Sequence, residues 1–270
     1  MASQAKTAVS TAAANGRNGH SLISDQKFRQ LYSLALGLRL SGSPAGREAA
    51  LAGIAADLRG GDLLLAAEPE APAPVLSQHV PNLITPACHA DGHERFIEAL
   101  SMALAARLRK SGNVAVILAP EHLGDSASAQ ALLEEAHRIA ESARLPVLFV
   151  EREDADRASS RRSRANGKAS GHQTPRIPVD AHDVIAMYRV AHESIARARE
   201  GSGPTRILCV EAPASQLRGL KNSSADAITS LEHWLEARGL PARAWRQEIV
   251  ATLPRAETAQ QHNRIEDHDH

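Results

Sequence analysis

A chain of 270 residues with 43% hydrophobic content can bury one large core or two modest ones. Its 31 basic and 31 acidic side chains give a formal net charge of +0, so no global field draws it to nucleic acid or to an anionic membrane. The cysteines, Cys88 and Cys209, stand far apart without a CxxC spacing, which indicates neither a disulfide framework nor a zinc site and makes a reducing compartment the default.

No apolar run approaches the roughly 20 residues that a membrane helix needs. Residues 1–20 also lack the hydrophobic stretch of a secretory signal, so the sequence reads as a soluble, cytoplasmic protein with no membrane partner. The opening segment is rich in Ala, Ser and Thr and free of acids, a composition that transit peptides share with plain tails. Residues 1–24 are read as a disordered tail.

The first predicted element is a helix over residues 28–40, with Leu31, Leu34, Ala35 and Leu38 on one stripe and Ser24-Asp25 placed to cap it. A second helix covers about 45–58 and ends at Gly60-Gly61. A short strand over 63–66 follows. Three prolines in AEPEAPAPVL then predict a linker or extended surface loop. HERFIEALSMALAARLRKSGN predicts a helix packed on a sheet through Phe96, Ala99, Leu100, Ala103, Leu104 and Leu108.

VAVILA (114–119) and LPVLFVE (145–151) are continuous apolar runs, the pattern of strands covered on both faces in a parallel sheet. With the helix predicted over 129–144 they make a βαβ unit. Residues 155–176 have almost no apolar content and carry five basic residues from Arg157 to Lys168, which predicts a flexible loop. A periodic helix after VDAHDV, a buried strand in TRILCVEAP and an amphipathic helix closed by Gly239 complete the pattern. Residues 25–250 are thus expected to form a single α/β domain, a doubly wound, mostly parallel sheet with helices on both faces, and 251–270 a polar tail.

Five segments in this order resemble the alpha subunit of the thiamine-diphosphate-dependent 2-oxo acid dehydrogenases, the decarboxylating component of the pyruvate and branched-chain complexes. FRQLYSLALGLRL is similar to the family's opening helix, and GREAALAGIAADLRGGDLLL to its GQEA helix and following aspartate. LPVLFVERED is similar to the strand that ends in a cofactor-binding Asn pair. VDAHDV, its helix and GSGPTRILCVEAP resemble a VDGNDV segment followed by GxGPT and a strand, and DAITSLEHWLEARGL resembles the DPI helix. The resemblance spans about residues 27–241. It implies a thiamine-diphosphate-binding fold, oxidative decarboxylation of a 2-oxo acid with acyl transfer to lipoamide, and assembly with a beta subunit and a second alpha subunit.

It also implies a site. The family's thiamine motif runs from GDG to the Asn pair, and here Gly124, Asp125 and Ser126 stand at its start while Glu153 and Asp154 stand at its end, 29 positions from Asp125 to Asp154. By resemblance Asp125 and Asp154 are Mg²⁺ ligands, the second with an oxygen donor that hard Mg²⁺ accepts in place of Asn. Ser126 adds a side chain where glycine lets the backbone approach, and Glu153 adds negative charge beside a diphosphate. The family's Arg-Asp-His run is replaced by AAEPEAPAPVL, its glycine loop by ACHADGH with His89 and His93, and its HGHS-like loop by ASQLRGLKNSSA. No catalytic residue is assigned. An inactive paralogue that keeps fold and subunit contacts is the competing expectation.

Other constellations have plainer readings. Glu134, Arg138 and Glu141 read as solvated helix-face pairs. The basic loop has no aromatic residues for stacking, so no nucleic-acid partner is expected. His262, His268 and His270 read as a solubilising tail. Asp180, His182 and Asp183 read as a helix start with a capping carboxylate rather than a triad.

Overall fold

A computed structural model describes residues 23–43, 47–66, 73–85, 92–119, 127–154, 174–211 and 226–252. Among these, five strands form one sheet: β1 (Leu63–Ala66), β2 (Ala115–Leu118), β3 (Val147–Asp154), β4 (Arg176–Asp180) and β5 (Thr205–Glu211), in the order β1-β2-β3-β5-β4. Every adjacent pair is parallel. The helices are α1 (Asp25–Leu40), α2 (Arg47–Ala55), α3 (Ala73–His79), α4 (Gly92–Arg109), α5 (Ala127–Ser142), α6 (Val184–Arg199), α7 (Ala227–Ala237) and α8 (Ala242–Thr252).

Successive side chains of a strand point to opposite faces, and both faces here are apolar, which explains why the strands read as unbroken runs. Leu64, Val116, Leu148, Val150, Ile207 and Cys209 join one core with α1, α2 and α6. Leu63, Leu65, Ala115, Ile117, Val147 and Phe149 join a second core with α4 and α5. The α/β class with helices on both faces is therefore as expected. Pro178, which cannot donate to a ladder, sits in the edge strand β4, where such a residue is tolerated.

Ser24 caps α1 by accepting from the amide of Lys27 at 3.2 Å, and Gly239, at φ 75°, closes α7. Helix α2 lies so close to α6 that a Cβ on Gly53 would stand 2.7 Å from Met187 Cγ and 2.8 Å from the Tyr188 nitrogen. Only glycine permits that approach.

Several expectations are corrected. The proline-rich stretch is not wholly a loop: α3 begins at Ala73, and Pro74 falls in its first turn, where a helix has no use for the missing N–H. Helix α8 follows Pro241 and buries Ala242, Trp245 and Ile249 at helical spacing. On α4, Leu104 and Leu108 are 42% and 74% exposed, so the packed stripe is narrower than the apolar pattern. The end of the expected loop, from Arg176, belongs to β4; residues 155–173, with the basic run, lie outside the described residues, as do 1–22 and 253–270. Among the described residues no helix is long and apolar enough to cross a membrane.

Candidate functional site

Open parallel sheets bind ligands in the crevice beyond the carboxyl ends of their strands, where crossovers leave on opposite faces. Here the β2-to-β3 crossover, α5, lies on one face and the β4-to-β5 crossover, α6, on the other. β2 pairs with β3 from Ala115↔Val147 to Leu118↔Val150, and the Ala119 amide donates to the Val150 carbonyl at 2.9 Å. Past Val150, among the described residues, β3 pairs with β5 alone, from Glu151↔Leu208 to Asp154↔Glu211, so its last four residues project beyond the described part of β2.

Glu153 and Asp154 are the last residues of that projection, described in backbone only. Gly124, Asp125 and Ser126 belong to the connection from β2 to α5 and lie outside the described residues. His89 is outside the described residues, and of His93 only the backbone, in α4, is described.

The projection is charged in a way that sequence reading missed. Glu151 receives Arg206 through both nitrogens of the guanidinium edge, Nε to Oε1 at 2.9 Å and Nη2 to Oε2 at 2.7 Å. Both residues are buried. His137 of α5 brings Nε2 to 3.1 Å from Glu151 Oε1, in an orientation too poor for a hydrogen bond, and sets its ring edge-on to Phe149 at 4.3 Å. Burial alone would raise the Glu151 carboxyl, but the Arg206 guanidinium and the His137 ring outweigh it and hold the group at about 2. Arg152 pairs with Glu211 across the same two strands. The available signal was one charged residue inside each of two apolar runs, Glu151 in LPVLFVE and Arg206 in TRILCVE.

Beside this cluster a cavity of about 590 Å³ opens between α5 and β4, reaching Glu134, Glu141, Thr174 and Arg176. Glu134 leans toward it, 3.7 Å from Arg206 and 3.8 Å from His137, while Arg138 pairs with Glu135 instead. The expected Glu134–Arg138 pairing is thus corrected. Asp183 caps α6, accepting from the amides of Ile185 and Ala186 at 2.9 Å, and Asp180 accepts from the His182 amide at 2.9 Å. That is a helix start, not a triad. Cys209 is buried, which pushes its thiol up to about 12 and leaves it unreactive.

The charge balance bears on what this end of the sheet can hold. The ends of β3 and β5 carry four carboxylates, Glu151, Glu153, Asp154 and Glu211, and one guanidinium, Arg152; Arg206 reaches Glu151 from the start of β5, and both guanidiniums are paired with carboxylates. That excess suits a cation and opposes a diphosphate. Among the described residues no group of three or more His, Cys, Asp or Glu side chains is arranged to hold a metal. The positions that would meet a diphosphate, 124–126, lie outside the described residues.

Part of the chain is similar to a known protein family. Residues 82–211, just under half the chain, match the family described as dehydrogenase E1 component. The alpha subunit of acetoin:2,6-dichlorophenolindophenol oxidoreductase from Bacillus subtilis is 34% identical over 122 residues, covering 43% of this chain and 35% of that one. The alpha subunit of 3-methyl-2-oxobutanoate dehydrogenase from Mycobacterium tuberculosis is 34% identical over 120 residues, covering 42% and 32%. The pyruvate dehydrogenase E1 component subunit alpha from Acholeplasma laidlawii is 30% identical over 115 residues, covering 40% and 32%. The matched stretch thus spans about a third of these relatives' own length. A solved benzoylformate decarboxylase from Polynucleobacter necessarius aligns with 72% of this chain and 34% of its own at TM-score 0.38 and 8% identity, too low to bear on the chemistry. Over residues 82–211 the chain is similar to the dehydrogenase E1 component family, a span that lies within the 27–241 of the motif resemblance.

Proposed function

We propose that the chain is a divergent alpha-subunit-like component of a 2-oxo acid dehydrogenase that keeps the scaffold and subunit contacts of its relatives while its thiamine diphosphate site is weakened or lost. The observation that supports this reading is the parallel pairing of β2 with β3, the strands that in the sequence precede Asp125 and end on Asp154. In an active member of this kind, Asp125 and Asp154 would hold Mg²⁺, and the cofactor would supply a carbanion for oxidative decarboxylation before acyl transfer to lipoamide. Gly124, Ser126 and Glu153 would flank the diphosphate.

The inactive reading is favoured by the surplus of carboxylates at the ends of β3 and β5 and by Ser126 in place of glycine. The partners proposed are a beta subunit and a second alpha-type chain. Co-expression with the beta subunit of an E1 dehydrogenase tests the assembly: a stable complex of both chains on size exclusion with light scattering is expected. A monodisperse monomer of this chain, unchanged by the beta subunit, would contradict it.

A further inference from the structure

Among the described residues, 151–154 of β3 project beyond β2 and are laddered to β5 alone. Two ion pairs tie the projection to β5. Because Glu151 and Arg152 are successive residues of a strand, their pairs lie on opposite faces of the sheet. Their polarity is also reversed: β3 supplies the carboxylate and β5 the guanidinium in Glu151–Arg206, and the roles exchange in Arg152–Glu211. A slip of one residue would move each charge to the other face, so the two pairs together select one register.

We propose that Glu151 and Arg206 are positioning residues of the candidate site, fixing the direction and register of the strand end that presents residues 153 and 154. This rests on the reading that those residues belong to the functional site. Stability alone does not account for the pair. The side chains are 11% and 4% exposed, and an ion pair so buried gives back most of its attraction in desolvation, so that an apolar pair of similar volume is often as stable or more so. What the bidentate fork adds is geometry, since two parallel hydrogen bonds leave the carboxylate one orientation. His137, wedged between Phe149 and Glu151, closes the side from which the carboxylate could otherwise turn toward the cavity.

The test separates geometry from stability. In the double variant Glu151→Val/Arg206→Leu, the melting temperature is expected to hold or rise, while the amides of residues 152–154 exchange with solvent several-fold faster than in the wild type, with β2 and α6 unchanged. Arg206→Lys, which keeps the charge and loses the fork, should also speed exchange at 152–154 and gives the same readout should the double variant fail to fold. Wild-type exchange at 152–154 in the folded variants would overturn the proposal. So would faster exchange spread evenly over the sheet in step with a lower melting temperature. A failure of the site reading itself shows in cofactor binding and leaves these exchange rates to decide the positioning role.

Discussion

Asp62 holds Arg199 at 2.6 Å across the joint between the start of β1 and the end of α6. The carboxylate is fully buried and accepts also from the amides of Arg59 at 2.8 Å and Val114 at 2.9 Å, so one side chain ties together the turn before β1, the start of β2 and α6. Asp62→Ala leaves a guanidinium and two amides without their acceptor. A loss of about 3–5 kcal/mol is expected in urea unfolding; a loss below about 1 kcal/mol would mean that water replaces the carboxylate at little cost.

Gly53 makes a second point of close contact. Because a Cβ there would meet Met187 Cγ and the Tyr188 backbone, Gly53→Ala should push α2 away from α6 and destabilise the fold by about 1–3 kcal/mol, despite the better helix propensity of alanine. Stabilisation in the same unfolding measurement would show that the helices separate freely.

Asp183→Ala removes the cap of α6, where one carboxylate oxygen serves two amides. A loss of about 1 kcal/mol is expected, with Asp183→Asn close to the wild type. Equal losses for both substitutions would argue against capping as the role.

The Glu151 carboxyl, held at about 2 against an ordinary 4.5, gives an acid dependence of defined sign. Its folded-state value is depressed, so its contribution to stability is complete above pH 4.5 and is lost as the pH falls toward about 2. The stability gap between wild type and Glu151→Gln should therefore be full at neutral pH and close across that interval. A gap independent of pH would show that Glu151 is not charged in the folded protein.

The sheet was legible in the sequence because both its faces are apolar: 114–119 and 145–151 could hardly be anything but covered parallel strands. The elements that escaped lack that signal. β4 is short and contains Pro178, α3 opens on prolines whose place in a first turn is clear only once the helix is seen, and α8 is a modest stripe of Ala242, Trp245 and Ile249 in polar sequence. Of the candidate site, motif spacing named Asp125 and Asp154, and the described residues contain only the backbone of the second. The Glu151–Arg206 pair stayed hidden because its members are 55 residues apart and become neighbours only through the order β3-β5-β4.

The central claim, a family scaffold with a weakened cofactor site, is tested most directly by the melting temperature of the purified chain with Mg²⁺ and thiamine diphosphate added together. A ligand that binds only the folded state raises the melting temperature by mass action, so binding has an unavoidable signature. The account predicts little or no shift, because the carboxylates at the ends of β3 and β5 oppose the diphosphate and Ser126 stands where the resemblance calls for glycine. A rise of several degrees at micromolar cofactor, abolished by Asp125→Ala with the fold intact, would contradict it and establish a working thiamine diphosphate site.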